Sequence, residues 1–158
     1  MACRASHHSP QDFSHSALVA RDFSGQDLSG AIFTGATLMG ANFANACLVD
    51  AVFDQTDLTN ANFKYARLAG ASFKQAHLIR TSFRCASLTY ANFDSATLLG
   101  VDFTRADLSD AMISDLALKS AIVTSAILPD WSVIYETQLA LDDGSFINFD
   151  NSELANFQ

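Results

Sequence analysis

The residues able to do chemistry are present but scattered. His7 and His8 adjoin near the start, and cysteines stand at positions 3, 47 and 85. A zinc site needs three or four converging ligands, and neither set has the spacing to supply them. Serines and aspartates are plentiful, but no nucleophile, base and orienting acid fall into a recognisable arrangement, and there is no glycine-rich phosphate loop. No catalytic residue, no cofactor and no metal site is therefore expected. The odd, widely spaced cysteine set fits a reducing compartment. Cys3 then reads as a free thiol, or one that pairs with a partner.

What the chain does have is a period. From Ala31 to Leu108 every fifth position alternates strictly between phenylalanine and leucine: Phe33, Leu38, Phe43, Leu48, and so on to Phe103 and Leu108. Two residues before each stands a small residue, alanine except at Thr56, Thr81 and Val101. A sustained internal repeat decides the architecture. Residues two apart share one face of an extended segment. Each block is thus a short extended piece with two side chains inward, followed by a bend. Bends in one sense wind the chain into a coil whose stacked turns touch only their neighbours.

The Phe–Leu alternation sets the number of sides. In a three-sided coil Phe33 would stack on Leu48, whereas in a four-sided coil it stacks on Phe53. Homogeneous ladders keep one interior width along the tower, which close packing favours. Four sides is the smallest even number that leaves a packed interior.

The blocks AIFTG, ANFAN, ANFKY, ASFKQ, ANFDS and ADLSD resemble the pentapeptide repeat family, with its A-(D/N)-(L/F)-x-x pattern, over about three quarters of the chain. The resemblance implies an all-β fold, a right-handed quadrilateral β-helix with the central Phe or Leu and the preceding small residue inside. It implies little about activity. Some family members mimic a B-DNA rod and bind type II topoisomerases such as gyrase, conferring quinolone resistance.

Three segments are expected. Residues 1–10 are a flexible lead-in, 11–130 the repeat and 131–158 a capping tail. At twenty residues per coil the repeat gives about six coils, roughly 29 Å tall at a strand spacing of ~4.8 Å. The first coil should be partly open, because Arg21 and Gln26 occupy small slots and a charge is not buried unpaired. The last coil should be repacked, because Ile113 and Val123 replace phenylalanine and Leu116 fills a small slot. The segment 147–154 faintly resumes the pattern. No apolar run is long enough to span a bilayer and the start lacks a signal-peptide core. The expectation is a cytoplasmic protein, with a trimmed exported or organellar precursor as the alternative.

Twenty-residue coils also align the outward positions. Asp54, Lys74 and Asp94 share a column, and Asp57 adjoins His77, so cross-coil ion pairs are expected. Lys64 and Arg84 stack like on like, which invites an anion or a partner. Cys47 and Cys85 lie two coils apart, too far for a disulfide. The net charge is −8, yet residues 61–90 carry five basic groups and no acid. Those five fall on all four sides, a belt unlike a nucleic-acid track. One outward column is apolar: Val19, Met39, Thr59, Ile79, Leu99, then Lys119. A contiguous apolar stripe marks something that covers it. The tail over Leu99 and a partner, or a second copy, over Met39 and Ile79 are the expected covers. The candidate interface is Val19, Met39, Ile79, Leu99, Lys64 and Arg84. The function expected is a non-enzymatic scaffold binding another protein through a flat face, without direct nucleic-acid or membrane contact. The alternative is a DNA mimic directed at gyrase, disfavoured by the basic belt.

Overall fold

The computed structural model describes Cys3, residues 10–129, 138–140 and 146–148. Parallel bridges join residue i to residue i+20 along the chain, from Asp12–Ile32 through Asn62–Ser82 to Asp107–Ile127. Twenty residues per turn means four walls of five. Each wall is named here by its residue between 33 and 48: the Phe33, Leu38, Phe43 and Leu48 walls, in that order around the coil.

Each position of the block has its own physical reason. The first and third point inward. From Ala31 to Leu108 all the central phenylalanines and leucines are buried, most at 0 % exposure. The Phe33 and Phe43 walls face each other, and their rings form two ladders. Phe33 stacks on Phe53 with centroids 4.8 Å apart, and Phe43 meets Phe53 edge-on at 5.5 Å. Threonine is tolerated in two small slots because its hydroxyl is satisfied. Thr56 Oγ1 donates to the carbonyl of Phe33 at 2.9 Å, and Thr81 Oγ1 to that of Leu58 at 2.8 Å.

The second position favours Asp or Asn because its side-chain oxygen accepts the amide two residues on. Asp22 takes that of Ser24 at 3.0 Å, Asn62 that of Lys64 at 3.1 Å and Asp102 that of Thr104 at 2.9 Å. The fifth position is the corner. Ala31 N–H closes the turn on Leu28 C=O at 3.0 Å, with Gly30 at φ +70°. Non-glycine corners adopt the same left-handed conformation, among them Tyr65, Arg80 and Tyr90. That conformation costs an L-residue about 1–2 kcal/mol. The coils above and below hold it: Tyr65 N–H donates to Arg84 C=O at 3.0 Å, and Asn45 N–H to Lys64 C=O at 2.9 Å.

The first coil is open as expected. Gln11, Arg21 and Gln26 are exposed, and Phe13 and Leu18 are only partly buried. Near the far end the bridge series omits 97 with 117, where a one-turn helix, α1 (Asp115–Leu118), replaces the square corner. Ile113, Val123 and Leu128 are partly buried there. Beyond it, β1 (Gln138–Ala140) pairs antiparallel with β2 (Phe146–Asn148). The expected cap and resumed repeat otherwise lie outside the described residues, as do His7 and His8.

One expectation is corrected. Cys3 is not a free thiol but forms a disulfide with Cys47, with Cα atoms 5.6 Å apart. Pro10 lies beside Gly30, its Cγ 3.9 Å from where a Cβ on that glycine would stand. Both anchors belong to the Leu48 wall. Cys85 is free, and no disulfide joins it to Cys47, as the two-coil separation requires.

Candidate interaction surfaces

With two positions of each block inside and the second often engaged by its own turn, the fourth and fifth columns are the most open to a partner. On the Leu38 wall the fourth column carries the stripe. Val19 is 60 % exposed, Met39 41 % and Leu99 60 %, while Ile79 is half-buried. The tail expected over Leu99 lies outside the described residues. Leu18 N–H bonds Thr37 C=O at 2.8 Å and Leu38 N–H bonds Asp57 C=O at 2.8 Å. The column is thus in register along the wall.

On the neighbouring Phe43 wall the fourth column runs Ser24, Ala44, Lys64, Arg84, Thr104, and Lys64 and Arg84 are both exposed. Their stacking is relieved on one side. Arg84 Nη1 reaches Asp102 Oδ2 at 3.3 Å, with side chains 46 % and 24 % exposed. A pair this open contributes at most ~1 kcal/mol. Burial opposes ionisation of the Asp102 carboxyl, but the hydroxyl and amide of Thr104, with Arg84, outweigh it and hold it below its ordinary value. Asp22 is lowered by the amide and hydroxyl of Ser24, with help from Asn42. Asn42 in turn accepts from Asn62 at 3.0 Å, an amide ladder across three coils.

The other expected cross-coil ion pairs do not form. Asp54 accepts the Ser72 hydroxyl at 2.5 Å and the backbone amide of Lys74 at 3.1 Å, leaving the lysine ammonium outside. Asp57 accepts the amide of Thr59 at 3.0 Å instead of pairing with His77. Among the described residues Arg84–Asp102 is the one ion pair within salt-bridge distance. A second-position carboxylate gives one oxygen to its local turn, as Asp57 does, while Asp102 does the same and reaches Arg84 with its other oxygen.

Sequence reasoning missed the corners. Tyr65 is 60 % and Tyr90 66 % exposed, and Arg105 is exposed in the same corner column as Tyr65 and Cys85. Their signal in the sequence is the fifth position stacked by twenties, which places Tyr65, Cys85 and Arg105 in one column. No group of three or more potential metal ligands occurs among the described residues. No helix among them is long and apolar enough to cross a membrane.

A square solenoid of five-residue walls, with rigid outer columns along its sides, defines a repeat protein of the β-helix class. The family model described as pentapeptide repeats matches in eight copies, over residues 12–43, 22–55, 38–75, 56–93 and 86–124. The chain belongs to the pentapeptide repeat family, and its twenty-residue coils form a four-sided β-helix. Among solved structures it is similar to a pentapeptide repeat protein from the Arabidopsis thaliana thylakoid lumen, at 31 % identity over 72 % of this chain and 74 % of that one, TM-score 0.43. It is also similar to Rfr23 from the cyanobacterium Cyanothece 51142, at 25 % identity over 67 % of this chain and 63 % of that one, TM-score 0.42. Full-length QnrB1, a plasmid-mediated fluoroquinolone resistance protein, aligns at 24 % identity over 95 % of this chain and 89 % of that one, TM-score 0.46. No curated protein matches the chain.

Proposed function

We propose that this protein is a non-enzymatic scaffold that binds another protein through the flat Leu38 wall. The carrying observation is the stripe of Val19, Met39, Ile79 and Leu99, three of them exposed, in one straight column. Large side chains held in water at regular spacing by a rigid backbone are suited to a flat apolar partner. The partner is a different protein or a second copy of this chain. The family's generally non-catalytic scaffolds support the reading. The test replaces Met39 and Leu99 with lysine at exposed sites, where the fold is indifferent to the change. The double variant should keep the wild-type melting curve and lose self-association in sedimentation, or capture of the partner from source-cell extract. If both sedimentation and capture are unchanged, the stripe is not an interface.

A second reading, a DNA mimic directed at gyrase, draws on the net charge of −8 and on the rod of stacked coils. The cations of residues 61–90 weigh against it, because they interrupt the negative surface a mimic needs. Gyrase supercoiling unaffected by micromolar protein would dismiss it. The Cys3–Cys47 bond bears on location, since such bonds persist in oxidising compartments. It removes the ground for a reducing compartment, and we favour an oxidising one.

A further inference from the structure

The geometry points to a second, separate surface: the corner between the Phe43 and Leu48 walls, which we propose binds an acidic, extended segment of a partner protein. Three successive coils present there Lys64 with Tyr65, Arg84 with Cys85, and Thr104 with Arg105. The register is fixed by Tyr65 N–H to Arg84 C=O and Cys85 N–H to Thr104 C=O, both 3.0 Å. Lys64, Tyr65, Arg84 and Arg105 are exposed. Arg84 is engaged by Asp102. Lys64 and Arg105 have no ion-pair partner among the described residues. In a chain of net charge −8, two unpaired cations flanking a third are a local inversion of sign, and they select for carboxylates.

The dimensions favour a short segment. Two coil steps span roughly 9.6 Å at ~4.8 Å each, while alternate side chains of an extended strand repeat about every 6.7 Å. Two or three carboxylates on one side of such a strand reach the flexible ends of Lys64, Arg84 and Arg105. The Tyr65 ring, 60 % exposed, adds an aromatic face with a hydroxyl, the residue type enriched where partners anchor. A nucleic acid fits worse. Duplex DNA carries a charge about every 1.7 Å of axis. It would run past the cationic coils onto Asp22 and Asp27 on one side and Asp107 and Asp110 on the other, all of which lie on the same two walls.

This inference does not rest on the Leu38 stripe. Its test is fluorescence anisotropy at low salt with a labelled peptide alternating glutamate and serine, the glutamine counterpart and a labelled duplex DNA. The intact protein should bind the glutamate peptide saturably and the other two far more weakly. The exposed double variant K64Q/R105Q should keep the wild-type circular dichroism and lose affinity at least about fivefold, the size expected of two rim charges. The stripe variant M39K/L99K should bind the peptide as wild type does, so the two surfaces fail independently. The proposal is overturned if the glutamate peptide does not saturate, if the glutamine peptide or the DNA binds as tightly, or if K64Q/R105Q weakens binding by less.

Discussion

Replacing Phe63 with alanine tests the packing logic of the tower. Phe63 is fully buried and stacked between Phe43 at 4.8 Å and Phe83 at 4.9 Å. It also meets Phe53 and Phe73 edge-on, at 5.5 and 6.0 Å. A buried Phe→Ala change costs about 3–5 kcal/mol through lost transfer energy and the cavity left behind. Aromatic pairs contribute about 0.5–1.5 kcal/mol each beyond area, and Phe63 forms four of them, so the upper half of that range is expected. The walls cannot close on the gap, because every coil above and below is pinned by the same backbone ladder. Phe13 is the control. It is partly buried and, among the described residues, its ring pairs with two others, Phe23 and Phe33, so Phe13→Ala should cost less than half as much. Urea unfolding followed by circular dichroism measures both, with the slope checked for loss of two-state behaviour. In a solenoid a mid-tower break can uncouple the two halves, and a second transition in Phe63→Ala alone would fit. Equal midpoints for the two variants, or a Phe63→Ala midpoint equal to wild type, would refute the inward ladder.

Two further outcomes follow from the cysteines and the carboxylates. Denatured but unreduced protein should take up one alkylating label, at Cys85, and reduced protein three; three labels without reduction would exclude the Cys3–Cys47 bond. Asp102 has a folded-state value held below its ordinary 3.8, so its contribution is complete above that pH and is lost as the pH falls through the folded value. Stability measured from neutral to about pH 3 should therefore drop more steeply in wild type than in Asp102→Asn, with no difference in slope near pH 7, and parallel curves would sink the assignment.

The repeat made the interior legible because it over-determines it. Phe33, Ala31 and their equivalents recur until only one number of walls satisfies them, and even Thr56 and Thr81 fall where a hydroxyl can reach a carbonyl of the adjoining coil. The disulfide was not legible. Cys3 lies outside the periodic segment, so no register places it beside Cys47, 44 residues away. The ion pairs were misjudged for a different reason. Column stacking brings Asp57 near His77, but it ignores the amide of Thr59, which is covalently close and claims the carboxylate first.

That competition explains where functional information resides in this chain. The first and third positions are consumed by the core, and the second commonly by its own turn. Corners tolerate almost any residue at an energetic cost that the ladder absorbs, and the fourth position is nearly free of structural demand. The valine, methionine, isoleucine and leucine of one fourth-position column, interrupted by Thr59, are therefore not required by the fold, which accepts serine or threonine there, as at Thr59 itself and at Ser29 and Thr89 on the Leu48 wall. The same holds for Lys64 and Arg84, placed one above the other against their mutual repulsion, with Arg105 at the next corner. Side chains that the backbone does not require, repeated along one wall or clustered at one corner, are where selection for a partner leaves its mark in a solenoid. Lysine substitution of the stripe and glutamine substitution of the corner address those positions without touching the ladder beneath them.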